Sequence, residues 1–176
     1  MISTVKPLTF PDYRSYGDII SARDEVKPLN VNMGTAKKFG FLASLQNLRG
    51  ESAKPNFCFF RCQPQVQTQD EQFEVKLLER HPYSTQAFIP MKGAERFLVI
   101  VALGKDQPDL STLRVFQATA EQGITYHPGV WHHPLVAMDQ LSDFACLVWE
   151  DGTQRDCDVV KLSAPVTVTL SRNSGQ

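Results

Sequence analysis

The chain has 176 residues, of which 42% are hydrophobic and 21% are charged, and its formal net charge is -1 at pH 7. This length accommodates one domain with a full core, which we place over residues 1–176, and the composition is that of a folded protein. A net charge close to zero, without a cluster of lysines or arginines, excludes a broad nucleic-acid-binding surface and favours a small substrate.

The sequence carries no sign of export or of a membrane span. Its start, MISTVKPLTFPDY, lacks a basic segment followed by a long apolar run. The longest apolar run, Phe97–Leu103, is too short to cross a bilayer and predicts a buried strand. The four cysteines are too few for a disulfide scaffold, so we expect reduced, structural thiols in a cytoplasmic protein without a membrane partner.

In chain order, helix signals come first and strand signals dominate after residue 55. Thr9 and Asp12 are spaced like a capping box, and the aromatic pattern that follows ends at Gly17, which predicts a short helix. Residues 35–48 are predicted to be helical or irregular. The predicted strands are Asn56–Arg61, Gln72–Leu78, Thr85–Ile89, Phe97–Leu103, Leu113–Ala118, Ile124–Tyr126, His132–Met138, Phe144–Trp149 and Val166–Leu170. Many short strands separated by turn signals predict an all-β sandwich or barrel with a few short helices.

Three of the four histidines lie in the stretch YHPGVWHHPL, and the fourth lies in ERHPYSTQ. Because residues i and i+2 of a strand point to the same side, Glu79 and His81 are expected to face the barrel interior together. Gln86 then returns on the next strand, and His132 arrives from a facing strand. His133 is expected to point the other way and to be structural.

These inward groups (Glu79, His81, Gln86 and His132) comprise two imidazoles and two oxygen donors. Such a set suits a divalent Ni, Mn, Zn or Fe ion, and it is the predicted metal site. The alternative is a metal-free polar pocket that holds the substrate by hydrogen bonds, because glutamine is an unusual metal ligand.

The same two segments resemble the motifs of the cupin superfamily. The first cupin motif is written His-x-His-x(3,4)-Glu-x(6)-Gly, and here Glu79 replaces the first His and Gln86 replaces the acidic residue. The second motif ends in Pro-x-Gly-x-x-His, whereas Pro128 and Gly129 are adjacent in this chain. The resemblance implies a cupin-like double-stranded β-helix, or β-barrel.

Longer stretches are similar to one family within that superfamily. ERHPYSTQAFIPMKG, VALGKDQPDLSTLRVF, EQGITYHPGVWHHPL and DFACLVWEDGTQRDCDV, in this order, closely resemble the ureidoglycolate lyase family, once labelled ureidoglycolate hydrolase. The resemblance implies a homodimeric enzyme of allantoin and purine degradation that splits ureidoglycolate into glyoxylate and urea. The acidic WED stretch departs from the family pattern, and no role is assigned to it.

That reaction needs a base for the substrate hydroxyl, an acid for the departing nitrogen and a cation for the carboxylate. His132 and His127 are the candidates for proton transfer, with Glu79 and His81 as further catalytic groups or as ligands of a metal that activates the hydroxyl.

Substrate binding is assigned to Gln86 and to the two cations Arg61 and Lys92, of which arginine offers the better bidentate fit to a carboxylate. Each of these residues also has a purely structural explanation. His127 could cap a strand end, Arg61 could form a surface ion pair, and Lys92 could be solvated in its turn.

Two other functions remain open from the sequence. One is a metal-dependent cupin amidohydrolase that releases ammonia from a ureido substrate. The other is a non-catalytic cupin-fold binding module, a class that often lacks the inward polar residues that this chain retains.

Overall fold

The computed structural model describes residues 2–67 and 70–170, and most of them lie in strands. The only α-helix in this part of the chain, α1, spans Phe10–Tyr13, and three short 3-10 turns span Asn32–Gly34, Gly50–Ser52 and Gln154–Asp156. The strands are β1 (Ile2–Pro7), β2 (Ile19–Ile20), β3 (Leu29–Val31), β4 (Ala36–Lys38), β5 (Lys54–Cys62), β6 (Pro64–Val66), β7 (Gln72–Arg80), β8 (Gln86–Lys92), β9 (Arg96–Gly104), β10 (Pro108–Thr119), β11 (Gly123–Tyr126), β12 (Trp131–His132), β13 (Val136–Met138), β14 (Ser142–Glu150) and β15 (Asp158–Thr169).

Two sheets build the molecule. The larger sheet has the order β10-β1-β15-β7-β12-β9-β13-β6, and a further pairing of β10 with β9 closes it on itself. The smaller sheet has the order β2-β11-β8-β14-β5, and β3 and β4 form a separate ribbon. Most pairs are antiparallel, whereas β1 runs parallel to both β10 and β15. The predicted all-β, cupin-like barrel with a few short helices is therefore confirmed.

Strand β9 explains why its sequence is continuously apolar. Phe97, Val99 and Val101 pack into a core cluster that includes residues of the smaller sheet such as Phe88 and Phe144. The alternate side chains of β9, from Leu98 to Ala102, pack into a second cluster on the other side of the strand. A strand that is buried on both faces has no position for a polar side chain, and the predicted buried strand is confirmed.

Several predictions of individual helices and strands agree with the structure only in part. The helix is shorter than its aromatic pattern suggests, and Thr9 donates to the Asp12 carboxylate (2.7 Å) instead of capping a backbone amide. Gly17 is required for packing, because a Cβ atom there would lie 1.7 Å from the Thr125 carbonyl oxygen. Residues 35–48 contain β4 and irregular chain rather than a helix. Pro134 lies in the break between β12 and β13, which were predicted as one strand.

The cysteine prediction agrees with the structure. All four cysteines are free thiols, and Cys58 and Cys62 share one face of β5 and pack against the same core cluster. In residues 2–67 and 70–170, no helix is long and apolar enough to cross a membrane.

The smaller sheet turns an apolar surface away from this core. We call it the outer sheet face. Its apolar residues include Phe57 and Phe59 on β5, Ile89 on β8 and Leu147 on β14. Phe57 is 75% exposed and Phe59 57% exposed. Next to them lies an apolar hollow of about 330 Å³ whose lining includes Phe39 and Leu42. Apolar area of this kind on a folded surface commonly marks an interface.

Candidate active site

His132 lies between the two sheets because of the alternation along β12. Trp131 turns into the core cluster behind the larger sheet, so His132 faces the smaller sheet. Its cross-strand partner is Glu79 on β7, and only 1% of the His132 surface is exposed. His81 follows two residues after Glu79, and its ring lies nearly parallel to that of His132 with the centroids 5.9 Å apart. The three inward side chains expected from these segments are thus brought together.

Backbone carbonyl groups fix the tautomers of both imidazoles. His132 Nδ1 lies 3.0 Å from the Val130 carbonyl oxygen, and His81 Nδ1 lies 2.8 Å from that of Asp156. Since a carbonyl oxygen can only accept, each Nδ1 carries the proton and donates. Proton exchange with a substrate at either ring therefore takes place at Nε2.

The Glu79 carboxylate stands beside this base. Its Oε1 lies 3.6 Å from His132 Nε2, which is too long for a hydrogen bond but close enough for a strong electrostatic interaction. Burial acts to raise the pKa of Glu79, but the imidazoles of His132, His81 and His133 outweigh it and lower that pKa below its usual value. Burial, followed by the proximity of His132, lowers the pKa of His81. The site at neutral pH thus combines an ionised carboxylate with a neutral imidazole at His81.

The smaller sheet supplies two more buried polar groups. Gln86 on β8 and Tyr126 on β11 are cross-strand partners. The Tyr126 ring lies flat against His132, with the centroids 3.9 Å apart and the planes 9° from parallel. Burial and then the charge of Glu79 raise the pKa of Tyr126, so its hydroxyl stays protonated and available as a donor. Gln86 was predicted from the sequence, whereas Tyr126 was missed.

Comparisons with known proteins cover most of the chain. The sequence model of the family described as "Ureidoglycolate lyase" matches residues 1–169. Proteins named ureidoglycolate lyase from Escherichia coli (strain SE11) and Shigella flexneri are 42% identical over 155 residues, which cover 88% of this chain and 91% of theirs. The chain belongs to the ureidoglycolate lyase family.

Membership of the ureidoglycolate lyase family confirms the family prediction and makes the chain an enzyme of the lyase class. It supports the cleavage of ureidoglycolate and favours neither the amidohydrolase nor the binding module. Among solved structures, a dTDP sugar isomerase from Desulfovibrio desulfuricans G20 is similar, with 14% identity, a TM-score of 0.48 and coverage of 84% of this chain and 85% of that chain.

Three residues predicted for the lyase reaction lie outside the cluster. His127 alternates with the inward Tyr126, and its Nε2 lies 3.7 Å from Asp18 Oδ2. Arg61 lies on the outer sheet face in a bidentate pair with Asp143, at 2.8 and 3.0 Å. Lys92 is exposed at the far end of β8, about 20 Å from Gln86 at the rise of a β-strand. In a single chain these residues do not meet His132.

The structure adds one group of residues that the sequence did not indicate. Arg49 pairs with Asp151 (3.0 Å) and with Asp156, and its side chain is only 9% exposed. Asp156 also accepts backbone amides of residues 151 and 152, while its own carbonyl accepts from His81. The acidic WED stretch, to which no role was assigned, thus supplies a partner to the arginine that holds this loop against His81.

A metal site needs suitable donor types at suitable spacing. The donor types suit a metal ion, because two imidazole Nε2 atoms and a carboxylate lie near one another. Their spacing does not fit: among the described residues, no three His, Cys, Asp or Glu side chains come together as a ligand set. The divalent ion expected from the sequence (Ni, Mn, Zn or Fe) stays a prediction.

Proposed function

We propose that the protein cleaves ureidoglycolate into glyoxylate and urea, with His132 as the proton-transfer group. The observation that supports this role is the state of His132 Nε2. This atom is buried, has no hydrogen-bond partner among the described residues and faces Glu79. An imidazole whose Nδ1 proton is held by a carbonyl oxygen and whose Nε2 faces a carboxylate is arranged to exchange a proton at Nε2.

The reaction is an elimination that leaves the proton count unchanged. His132 Nε2 takes the proton of the substrate hydroxyl, and the oxygen forms the C=O bond of glyoxylate as the C–N bond breaks. The imidazolium returns its proton to the departing nitrogen, which leaves as urea. The negative charge of Glu79, beside Nε2, stabilises the imidazolium between these two transfers.

Product analysis tests this proposal against the alternatives. The purified protein is incubated with ureidoglycolate, and glyoxylate, urea and ammonia are each quantified. We expect equal amounts of glyoxylate and urea without ammonia. Ammonia release at the rate of glyoxylate formation would instead identify an amidohydrolase, and binding without turnover would identify a binding module.

The predicted metal is tested in the same preparation. Elemental analysis is combined with turnover measured before and after chelation. Turnover that is lost on chelation and restored by a stoichiometric Ni, Mn, Zn or Fe ion would support the metal prediction. Unchanged turnover in metal-free protein would restrict the chemistry to the side chains.

We also propose that the protein is a homodimer whose subunits meet at the outer sheet face. The support is its exposed apolar area around Phe57 and Phe59, which lies on the edge strand β5. Sedimentation of the wild type is expected to give twice the chain mass of 19.8 kDa. Phe57→Lys with Phe59→Lys should give the monomer, while Val159→Lys, at an exposed apolar position of the larger sheet, should not. A monomeric wild type would overturn this proposal.

A cytoplasmic location is proposed from the free thiols, which persist in a reducing compartment. Fractionation of the source cells tests it. Recovery of the turnover with membranes or in the secreted fraction would contradict it.

A further inference from the structure

Buried polar atoms without partners concentrate at one place in the described chain. Apart from two nitrogens of Arg49, which stands against two aspartates, they are Gln86 Oε1, the Tyr126 hydroxyl and His132 Nε2. A buried polar atom that lacks a partner destabilises the fold, so such atoms in a native protein point to a ligand that completes them. His132 Nε2 has a role in the proposed proton transfer, whereas the other two atoms have none yet.

The two remaining atoms form a complementary pair. Gln86 and Tyr126 are directly opposite each other on β8 and β11, so their side chains leave the same face of the sheet as close neighbours. The free atom of Gln86 is a carbonyl oxygen, which accepts, and the free atom of Tyr126 is a hydroxyl group, which donates. Their neighbour His132 lies flat on the Tyr126 ring.

Gln86 also has a buried neighbour on the adjacent strand β14. This neighbour is Cys146 in the core cluster; burial raises the pKa of its thiol to about 12, and the Gln86 side chain acts against this rise. The Gln86 atom that has no hydrogen-bond partner among the described residues is the carbonyl oxygen, and this atom is the one available to a ligand.

We propose that Gln86 and Tyr126 form a subsite for the ureido group of the substrate. Gln86 Oε1 accepts a ureido N–H, and the Tyr126 hydroxyl donates to the ureido carbonyl oxygen. This inference rests on the proposed cleavage of ureidoglycolate, since a ureido group presents this donor and this acceptor side by side. It places the carbon that carries the hydroxyl next to His132.

The subsite contributes to the reaction as well as to binding. When the C–N bond breaks, the electron pair left on nitrogen is shared with the ureido carbonyl oxygen until the proton arrives from His132. The hydrogen bond from Tyr126 therefore strengthens as the bond breaks, while Tyr126 keeps its own proton. Removal of the hydroxyl should accordingly lower kcat as well as weaken binding.

The test compares two ligands that differ in the ureido group. N-carbamoylglycine has the ureido and carboxylate groups but no hydroxyl, so this elimination cannot cleave it, whereas glyoxylate has no ureido group. Binding of both is measured by calorimetry. Tyr126→Phe keeps the ring that lies on His132 and removes only the hydroxyl. We expect it to weaken N-carbamoylglycine about 10-fold and to change glyoxylate binding by less than about two-fold.

Two further variants make the comparison decisive. Gln86→Met keeps the length of the side chain, removes the acceptor and should show the same selective loss. Tyr13→Phe is the matched control, because it removes a fully buried hydroxyl that donates to the Thr125 carbonyl oxygen (2.8 Å) outside the site. It should alter stability without changing the ratio of the two affinities. A thermal melt of each variant identifies those that fail to fold.

Equal weakening of both ligands, or no weakening of either, in Tyr126→Phe and Gln86→Met would overturn the subsite. The proposed function is judged separately, by turnover of ureidoglycolate in the wild type. A wild type that binds N-carbamoylglycine through this pair but forms no glyoxylate would retain the subsite and remove the proposed reaction.

Discussion

The polar groups on the two faces of the smaller sheet differ in their burial and in whether the protein supplies their partners. On the inner face, Gln86 and Tyr126 are buried next to His132, and each has a polar atom without a hydrogen-bond partner in the part of the chain that the structure describes. On the outer face, the Arg61 side chain is 60% exposed and its charge is matched by Asp143. The exposed pair is already satisfied by the protein, whereas the buried atoms are the ones that the ureido group completes in the proposed subsite.

The difference shows that residue type alone is a poor guide to a site. Arginine is the better residue for binding a carboxylate, and this argument selected Arg61 from the sequence. Strand alternation decides otherwise, because Arg61 leaves β5 on the side of Phe57 and Phe59, opposite to Cys58 and Cys62. A position on the strand therefore has to be assigned to a face before its chemistry is considered.

The largest expected effect separates two adjacent histidines. His132→Ala removes the proposed base and should lower glyoxylate formation by about 10²- to 10⁴-fold. His133→Ala, the matched control, removes a ring that packs edge-on against Phe73 (5.5 Å) on the other side and should retain turnover within about three-fold. Steady-state kinetics of both variants make the comparison. Equal losses would show that the face of the strand does not decide the role.

Much of this arrangement could be predicted from the sequence, and the residues that were missed were missed for physical reasons. Alternation within one strand correctly placed Glu79 with His81 and separated His132 from His133, because the period of two is local. Tyr126 was missed because its role depends on the pairing of β11 with β8, which no local pattern encodes. Arg49 was missed for the same reason, since its partners lie about a hundred positions further along the chain.

The next largest effect is expected from Arg49, which holds the loop that accepts the hydrogen bond of His81. Arg49→Ala leaves Asp151 and Asp156 without their shared cation, so we expect the loop to loosen and the bond from His81 to the Asp156 carbonyl to weaken. Turnover should fall about 10-fold together with the melting temperature, because misplacement of a catalytic group is costly.

Arg155→Ala is the matched control for this prediction. It removes another partner of Asp151, but its side chain is 70% exposed and it should change neither quantity appreciably. Similar losses in both variants, measured by kinetics and calorimetry, would contradict a special role for the buried pair.

A smaller effect appears in the pH dependence of stability. Burial lowers the pKa of both His81 and His133 below the usual 6.5, so the unfolded chain takes up protons at a higher pH than the folded chain does. Above a pH of about 6.5 these two histidines therefore do not lower the free energy of unfolding. That free energy decreases as the pH falls from about 7 to 5.5, because the unfolded chain binds protons that the folded chain does not. Thermal melts of the wild type should show this decline, and His133→Ala should show a shallower one. Equal slopes would exclude His133 as a contributor.

The smallest expected effect tests the outer face directly. If Arg61 binds the substrate carboxylate, as the sequence argument predicts, Arg61→Ala should raise the KM for ureidoglycolate at least 10-fold. The structure pairs this arginine with Asp143 on the face opposite to Gln86, so we expect KM and kcat to change by less than about two-fold. Asp143→Asn, which removes the partner and leaves Arg61 in place, is the control. A KM that rises only in Arg61→Ala would place the outer face in the active site, and in a dimer the cation would then act on the site of the second subunit.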